Sequence, residues 1–344
     1  TICRHTDGWH DWSEQPVCVH RSVSATAISQ HGATGAAAVR VAVQPRPIPN
    51  DQDKRGIHAV KVTIFGGTGF VGSYLIDALL EQGHQPAVLV RASSRHKVQQ
   101  PGQCILVDGD IKDPVAVRTA IAGADAVIYN IGILRESPAR GETYEALHFE
   151  GAKQVIDAAQ EAGVRRFLLM SANGVKPDGT GYQRSKYRAE QYLASSGLEW
   201  TVFRPSVLFG DPRGRMEFAT RLYREVVRSP LPAPLFYDGM LPTAAGMFRM
   251  SPVHVKDVAA VFVKSLQMPS TTGQVYALCG PDALTWKDIV QTIAHATGTG
   301  KWALPAPVIL IRTIATALDK FAFFPITRDQ LTMLMEGNTC EGEQ

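Results

Sequence analysis

Glycine is concentrated in one short stretch of the sequence, GGTGFVG, which begins at Gly66 and ends at Gly72. Its spacing fits both GxGxxG and GxxGxxG. Glycine permits a tight turn and lets the backbone approach a pyrophosphate, and the last glycine lets a helix pack closely on a strand. The pattern therefore predicts that this stretch binds the phosphates of a dinucleotide. The predicted contact residues are Gly66, Gly67, Thr68, Gly69, Phe70, Val71 and Gly72.

A second candidate site follows the apolar stretch PAVLV, where the sequence continues RASSR from Arg91 to Arg95. A carboxylate at this point would bond the 2′-hydroxyl of the adenosine ribose and favour NAD. An arginine can instead pair with a 2′-phosphate. Arg91 and Arg95 therefore predict a preference for NADP(H) over NAD(H). The alternative is that Arg91 is an exposed loop residue without a ligand.

These residues require a strand before the glycines and a helix after them, and the sequence supplies both. KVTIF (61–65) is apolar and β-branched, as in a buried parallel strand, and the following stretch carries a helical apolar stripe that ends at Gly83. Strand-like and helix-like stretches then alternate as far as residue 210. The alternation predicts an α/β fold, a doubly wound parallel Rossmann sheet with right-handed crossovers.

The predicted domain organisation places the NAD(P)-binding Rossmann domain at residues 60–210. Residues 211–344 are predicted to form a smaller, α-rich C-terminal subdomain for a substrate or partner. Two strands of this subdomain, at about 251–256 and 274–278, are expected to return to the sheet.

Residues 1–59 are predicted to be a disordered or non-native leader. They show no sustained period and include the linker-like stretch QPRPIPNDQDKRG. The chain does not begin with methionine, and a valine codon can start a bacterial protein. We therefore expect the natural protein to begin near Val60; a mitochondrial transit peptide is the alternative.

Several motifs together resemble the short-chain dehydrogenase/reductase superfamily, in the extended or atypical branch that includes the NAD-dependent epimerase/dehydratase group. They are GGTGFVG, VDGDIKD, NIGI, RFLLMSA, Tyr182-x-x-x-Lys186, FRPSVLFGD and SPVHVKDVA. Other stretches are similar to the NAD(P)H-binding accessory subunit of respiratory complex I and its bacterial relatives. They are YNIGIL, RPSVLFGDPRGRMEF, YALCGPDALTWKDIV and PITRDQLTMLMEGNTC. The resemblance covers about residues 60–340.

The resemblance implies further cofactor-binding residues. The adenine would contact Asp110 and Ile111. The path to the nicotinamide ribose would be lined by Asn130, Ile131 and Gly132. Near the nicotinamide would lie Pro205, Ser206 and Val207.

The resemblance also implies a catalytic group made of Tyr182, Lys186 and Ser171. A lysine four residues after a tyrosine shares its helix face, lowers the phenol pKa so that the tyrosine can act as acid or base, and bonds the ribose. Extended members commonly carry the serine or threonine two positions later, where this chain has Asn173. The alternative is a cofactor-holding relic, in which Lys186 bonds the ribose and Tyr182 merely packs. Ser171 and Lys186 are also predicted as cofactor-binding residues.

Three functions therefore stay open. The first is an NADP(H)-binding accessory or assembly-type protein of complex I, in which the cofactor is structural. The second is an NADP-dependent reductase or a sugar-nucleotide epimerase/dehydratase that acts on a small molecule through Tyr182 and Lys186. The third is a regulator that reads the redox state of NADP(H). The first implies partner subunits of complex I or a membrane surface. It also implies a cytoplasmic protein, peripheral at the inner membrane, on the matrix side in a eukaryote.

Two further groups of residues have structural explanations. Asp257 is expected to cap the helix DVAAVFVKSL, with His254 on the preceding strand, rather than to form an acid/base pair with it. A set of arginines on a helix-like stretch is expected to face solvent or a partner; the alternative is that it holds a diphosphate. The set is Arg213, Arg215, Arg221, Arg224 and Arg228.

Composition excludes other classes of function. A net charge of +3 on 344 residues, without a long basic segment, gives no indication of nucleic-acid binding. The five cysteines include no CxxC pair and fit buried or incidental thiols in a reducing compartment. The early group Cys3, His5, His10, Cys18 and His20 matches no zinc spacing, so no metal site is predicted.

The most apolar stretch, PVILIRTIATALDKFAFFP (307–325), is interrupted by Arg312, Asp319 and Lys320. It is too charged for a membrane span. It predicts an amphipathic helix that packs on the body of the protein or, alternatively, lies against a membrane or a partner.

Overall fold

The computed structural model describes residues 18–22, 59–318 and 326–340. The strands are β1 (Cys18–Ser22), β2 (Lys61–Phe65), β3 (Gln85–Val90), β4 (Ile105–Asp108), β5 (Ala126–Tyr129), β6 (Arg166–Met170), β7 (Glu199–Pro205), β8 (Leu208–Phe209), β9 (Ala233–Tyr237), β10 (Arg249–Met250), β11 (Val253–His254), β12 (Gln274–Cys279), β13 (Leu284–Thr285) and β14 (Ala303–Pro307). The helices are α1 (Phe70–Glu81), α2 (Pro114–Ile121), α3 (Gly151–Glu161), α4 (Gly181–Ala194), α5 (Phe218–Leu222), α6 (Val255–Ser265), α7 (Trp286–Ala296), α8 (Val308–Leu318) and α9 (Arg328–Glu336).

The central sheet has the strand order β1-β12-β7-β6-β5-β2-β3-β4. Its seven strands from β12 to β4 are parallel. Successive side chains of a strand point to opposite faces, and both faces are buried here. Val62 and Ile64 of β2 pack in the core with α1 and α6, whereas Phe65 packs in a second core with α2, α3 and α4. The predicted doubly wound α/β fold is confirmed.

The edge strand β1 runs antiparallel to β12, with Cys18 opposite Cys279 and Ser22 opposite Val275. These five residues belong to the segment 1–59, for which a disordered or non-native leader stays a prediction. The other residues of that segment, apart from Ala59, lie outside the described part of the chain.

The residues after 210 build a third core cluster around Trp286, Phe236, Met250 and Leu331. Two short sheets flank it: β9 pairs with β14 in parallel, and β10 pairs with β13. The strand predicted at about 251–256 is β11, which pairs with β8 outside the central sheet. The strand predicted at about 274–278 is β12, which does join the central sheet.

The helix predicted within residues 307–325 is α8, and residues 319–325 lie outside the described part. Val308 is buried and Ile311 packs against the third core, whereas Ile309 and Leu310 are exposed. None of the helices in the described ranges combines the length and the apolar composition that a membrane-spanning helix needs.

Candidate cofactor-binding site

The glycine-rich turn between β2 and α1 has no room for a Cβ at Gly66 or at Gly72. A Cβ on Gly72 would lie 2.2 Å from the carbonyl oxygen of Gly66, and a Cβ on Gly66 would lie 2.7 Å from the carbonyl oxygen of Asn130. Gly66 also has a φ of +94°, a conformation that other residues rarely adopt. Because the crowding atoms belong to the backbone, the turn must present bare main chain to a ligand.

Helix α1 begins at this turn without a capping side chain. Its N-cap is Gly69, and its first turn contains no acidic residue. The first N–H groups of a helix have no partner within the helix and carry partial positive charge. The start of α1 therefore fits the pyrophosphate of a dinucleotide.

The turn faces the crevice between β2 and β5, where the strand order of the sheet reverses. Ligands of doubly wound folds bind at this point. Asn130 directly follows β5, and its backbone N–H donates to the carbonyl oxygen of Phe65 at 2.9 Å. The structure thus brings Asn130 and Ile131 beside Gly66, and Gly132 beside Lys186; their place on a path to the nicotinamide stays a prediction.

Asp110 and Ile111 follow β4 at the same end of the sheet. The Oδ1 atom of Asp110 accepts a hydrogen bond of 3.0 Å from the backbone N–H of Lys112. Ile111 is buried, and its carbonyl oxygen accepts a hydrogen bond from Gln154 at 2.8 Å. These contacts fix the loop; the adenine contacts of Asp110 and Ile111 stay a prediction.

Arg91 directly follows β3, Arg95 lies in the short helix 92–97, and each pairs with a carboxylate. Arg91 lies 3.3 Å from Glu142, and Arg95 donates to both oxygens of Asp108 at 2.8 and 2.7 Å. The two arginine side chains are 57% and 50% exposed. Exposed ion pairs contribute little to stability, so a phosphate could displace these carboxylates at small cost.

Lys186 of α4 is buried close to Met170 and Gly132, which follow or end neighbouring strands of the sheet. Its Nζ donates to the carbonyl oxygen of Met170 at 2.9 Å and would lie 3.7 Å from a Cβ on Gly132. Burial lowers the pKa of this ammonium group to about 8, and Glu190 acts in the opposite direction. An ammonium group has three N–H donors, so Lys186 has two beyond its bond to Met170. It is therefore equipped to bond a ribose near Gly132.

Ser171 directly follows β6 and is buried, with 4% of its surface exposed. Within the described residues, its Oγ is the one buried side-chain nitrogen or oxygen without a hydrogen-bond partner. Such an atom costs roughly 1–3 kcal/mol, which a bound ligand would offset. Ser171 therefore fits a hydroxyl that a cofactor or a substrate completes.

Tyr182 is enclosed by aromatic rings. Its ring makes edge-to-face contacts with Tyr144 at 5.8 Å and with His148 at 5.1 Å between centroids. The Nζ atom of Lys186 lies 5.7 Å from the Tyr182 ring centroid. Burial raises the pKa of the phenol. The Tyr182 hydroxyl therefore stays protonated at neutral pH and is a weaker acid than an ordinary phenol.

His148 is a site residue that sequence analysis missed. It lies in a π-helical turn, Glu145–Glu150, that leads into α3, and it is buried. Its Nδ1 lies 3.0 Å from the Oγ of Ser185, which in turn donates to the carbonyl oxygen of Tyr182 at 3.0 Å. A lone histidine in an apolar stretch gives no signal of such a role, because a π-helical turn leaves no periodic trace in a sequence.

The C-terminal segment, residues 326–340, returns to this end of the sheet. The side-chain amide of Asn173 donates to Asn338 Oδ1 and to the carbonyl oxygen of Thr339, both at 2.8 Å. The Ser206 hydroxyl donates to the carbonyl oxygen of Asn338 at 3.0 Å. Asn173 and Ser206 thus bind the chain's own C-terminal segment.

The same segment also contacts the start of α4. The Gly181 N–H donates to Asp329 at 3.0 Å, and the Gln183 amide donates to Glu336 at 2.8 Å. Of the predicted nicotinamide neighbours, Pro205 ends β7 in register with Leu278, and Val207 packs against the third core cluster. Loops that would face a substrate are therefore tied to the C-terminal segment.

A disulfide joins Cys279, at the end of β12, to Cys340, with the Cα atoms 6.0 Å apart. The prediction of buried or incidental thiols is therefore wrong for these two residues. Cys104 is a free, partly buried thiol. No group of three or more possible metal ligands is present in the described residues, and Cys3 lies outside them.

Two structural predictions were wrong in detail. His254 caps α6, because its Nδ1 accepts from the backbone N–H of Lys256 at 3.2 Å, and Asp257 lies inside the first turn. The stretch from Arg213 to Arg228 is helical only from Phe218 onward, since Arg213 and Arg215 lie in the loop before α5.

Comparison with known proteins adds to this geometry. Residues 66–228 match a family model described as NAD(P)H-binding. The chain is 27% identical to ceramide reductase of Caulobacter vibrioides over 78% of this chain and 80% of that protein. It is 26% identical to the mitochondrial NADH-ubiquinone oxidoreductase 40 kDa subunit of Neurospora crassa, over 82% of this chain and 72% of that subunit.

The fold is similar to that of UDP-glucose 4-epimerase from Thermus thermophilus in complex with NAD. The TM-score is 0.58, with 23% identity over 72% of this chain and 86% of the epimerase chain. The expected resemblance to complex I subunits is confirmed, and so is NAD(P)H binding as the description of the matching family model. The fold is that of the expected epimerase group.

Proposed function

We propose, from the match of residues 66–228 to an NAD(P)H-binding family model, that this protein holds NADP(H) as a structural cofactor. In this proposal it serves as an accessory or assembly component of a complex of the complex I type. The observation that carries the proposal is the bond from the Asn173 amide to the C-terminal segment, at the position where related enzymes place a catalytic hydroxyl.

A substrate needs open space and free polar groups beside the nicotinamide. In this chain the polar side chains at these positions donate hydrogen bonds to residues 336–339 instead; they are Asn173, Gln183 and Ser206. The Tyr182 phenol is desolvated, and burial rather than the lysine charge dominates its pKa. These features suit a site that retains a cofactor better than one that turns over a substrate.

The choice of NADP(H) rests on Arg91 and Arg95, whose exposed ion pairs a 2′-phosphate can replace. The choice of partner rests on relatives that are named subunits of the mitochondrial complex. We propose the same kind of partner here, with the protein peripheral at the inner membrane.

Native purification followed by mass spectrometry tests both parts together. We expect NADP(H) to copurify at a stoichiometric level, to exchange slowly, and to accompany subunits of a respiratory complex that comigrate on a native gel. Rapid exchange of the cofactor together with fast oxidation of NADPH by a small substrate would contradict the proposal.

A second candidate function is an NADPH-dependent reductase, favoured by the unpartnered Ser171 hydroxyl. One of the relatives is a ceramide reductase. When bound, the cofactor would supply a hydride. Ser171 would hydrogen-bond the carbonyl oxygen of the substrate, and the Tyr182 hydroxyl, protonated at neutral pH, would donate the proton. Lys186 would hold the ribose. If Tyr182→Phe leaves a measured reductase activity unchanged, this mechanism fails.

A further inference from the structure

The loop of residues 211–215 is held against helix α1 by hydrogen bonds, an ion pair and a ring contact. The Tyr74 hydroxyl donates to the carbonyl oxygen of Asp211 at 2.9 Å. The Arg213 guanidinium lies 3.7 Å above the Tyr74 ring and donates to Asp77 at 2.6 Å. Arg213 has a φ of +48° in this arrangement. These contacts fix the loop beside the glycine-rich turn.

Arg215, at the end of this loop, bridges two cofactor-binding segments. Its Nε donates to the carbonyl oxygen of Thr68, in the glycine-rich turn, at 3.0 Å. Its Nη2 donates to the carbonyl oxygen of Lys97 at 2.5 Å. Lys97 ends the short helix 92–97 that directly follows Arg91. The guanidinium therefore lies between the phosphate turn and the segment predicted to hold the 2′-phosphate.

The charge of Arg215 is compensated differently from the charges of its neighbours. Arg91 and Arg95 each face a carboxylate. Within the described residues, Arg215 donates to three backbone carbonyls, those of Thr68, Lys97 and Arg213, and forms no ion pair. A guanidinium has five N–H donors, so two are left after these three bonds. Arg215 thus combines a fixed position, a full positive charge and spare donors.

We propose that Arg215 binds the 2′-phosphate of NADP(H) together with Arg91 and Arg95, and so helps to select the phosphorylated cofactor. A guanidinium suits this role because its planar donors match phosphate oxygens. The inference rests on the proposed NADP(H) binding. It adds a selecting residue from outside the Rossmann domain, carried by the loop that leads into the smaller subdomain.

Fluorescence titrations of NADPH and NADH against purified full-length protein test the proposal. In Arg215→Gln we expect the Kd for NADPH to rise roughly tenfold to hundredfold, the effect of losing one charge-assisted contact. The Kd for NADH should rise much less than the Kd for NADPH, because NADH lacks the 2′-phosphate and senses only the lost bonds of Arg215 to the carbonyls of Thr68 and Lys97. Arg118→Gln, on the exposed side of α2, is the matched control and should leave both affinities unchanged.

Arg215→Lys separates charge from geometry, since lysine keeps the charge but not the planar donors. We expect its loss of NADPH affinity to be smaller than that of Arg215→Gln, with a normal thermal midpoint. Equal losses for NADPH and NADH, or no loss for either, would overturn the proposal. These outcomes concern the ratio of two affinities, so they are distinct from failure of the proposed structural function, which is judged by turnover and copurifying partners.

Discussion

The Nε2 atom of His148 accepts a hydrogen bond of 3.0 Å from the backbone N–H of Ile133. Because Nε2 accepts, the proton of the neutral ring lies on Nδ1, which then donates to the Ser185 hydroxyl. Burial lowers the pKa of His148 to about 2; the charge of Lys186 adds to this effect, and the bond from Ile133 opposes it. The imidazole is therefore a neutral spacer that connects the loop after β5 to the helix that carries Tyr182 and Lys186.

This histidine predicts a loss of stability in acid. Between about pH 6.5 and pH 2 the unfolded chain binds a proton at this histidine and the folded chain does not, so stability is complete above pH 6.5 and falls as pH falls. At pH 5 we expect His148 to cost about 2 kcal/mol of unfolding free energy. Urea unfolding of the wild type and of His148→Asn at pH 7 and pH 5 measures this difference. An equal pH dependence in both proteins would contradict the prediction.

The glycine-rich turn predicts a steric effect at Gly72. Replacement by alanine places a Cβ 2.2 Å from the Gly66 carbonyl oxygen, and backbone cannot yield as a flexible side chain does. We expect Gly72→Ala to lose roughly 1–3 kcal/mol of unfolding free energy and to abolish cofactor binding. A Cβ at Gly102 meets no atom within 4 Å. Gly102→Ala should therefore change neither property, as measured by thermal unfolding and cofactor titration; a Gly72→Ala protein that still binds cofactor would refute the steric account.

Lys186 predicts a pH-dependent affinity for the cofactor. We expect binding to weaken as pH rises through about 8, because the buried ammonium group then loses its proton and its positive charge. In Lys186→Met the affinity at pH 7 should fall roughly tenfold to hundredfold, and the step near pH 8 should disappear. Lys264→Met, on the exposed face of α6, is the control. A step near pH 8 that persists in Lys186→Met would assign the titration to another group.

The central sheet was predictable because each element carries its own local signal. KVTIF is apolar throughout, since β2 is buried on both faces, and the glycines that follow are dictated by backbone contacts within the same turn. Asn130 and Lys186, in contrast, were predicted as site residues from the resemblance to a known superfamily and not from the strand–helix alternation. Proximity at the carboxyl end of a parallel sheet follows from topology alone.

The remaining features of the site depend on contacts between distant parts of the chain. Asn173 bonds to Thr339, and Arg215 bonds to Thr68, across separations that no periodic pattern encodes. The cap of α6 was misassigned because His254 accepts through a ring nitrogen, whereas aspartate is the more familiar capping residue. Sequence reasoning therefore predicted the parallel sheet but missed the contacts that residues 336–339 make with Asn173, Gln183 and Ser206.

The disulfide between Cys279 and Cys340 predicts that the C-terminal segment depends on oxidation state. The two cysteines are 61 residues apart. Closing a loop of this length lowers the conformational entropy of the unfolded chain, which raises the free energy of unfolding by about 4 kcal/mol. We expect Cys340→Ser to lose roughly 2–4 kcal/mol of unfolding free energy and to unfold identically with and without dithiothreitol. Cys104→Ser, which removes the free thiol, should keep the response of the wild type to the reductant.

The bonds of Asn338 and Thr339 to Asn173 and Ser206 lie next to Cys340, so hydrogen exchange at residues 336–340 should accelerate in Cys340→Ser. A wild type whose unfolding midpoint is unchanged by dithiothreitol would show that the two cysteines are not joined in solution.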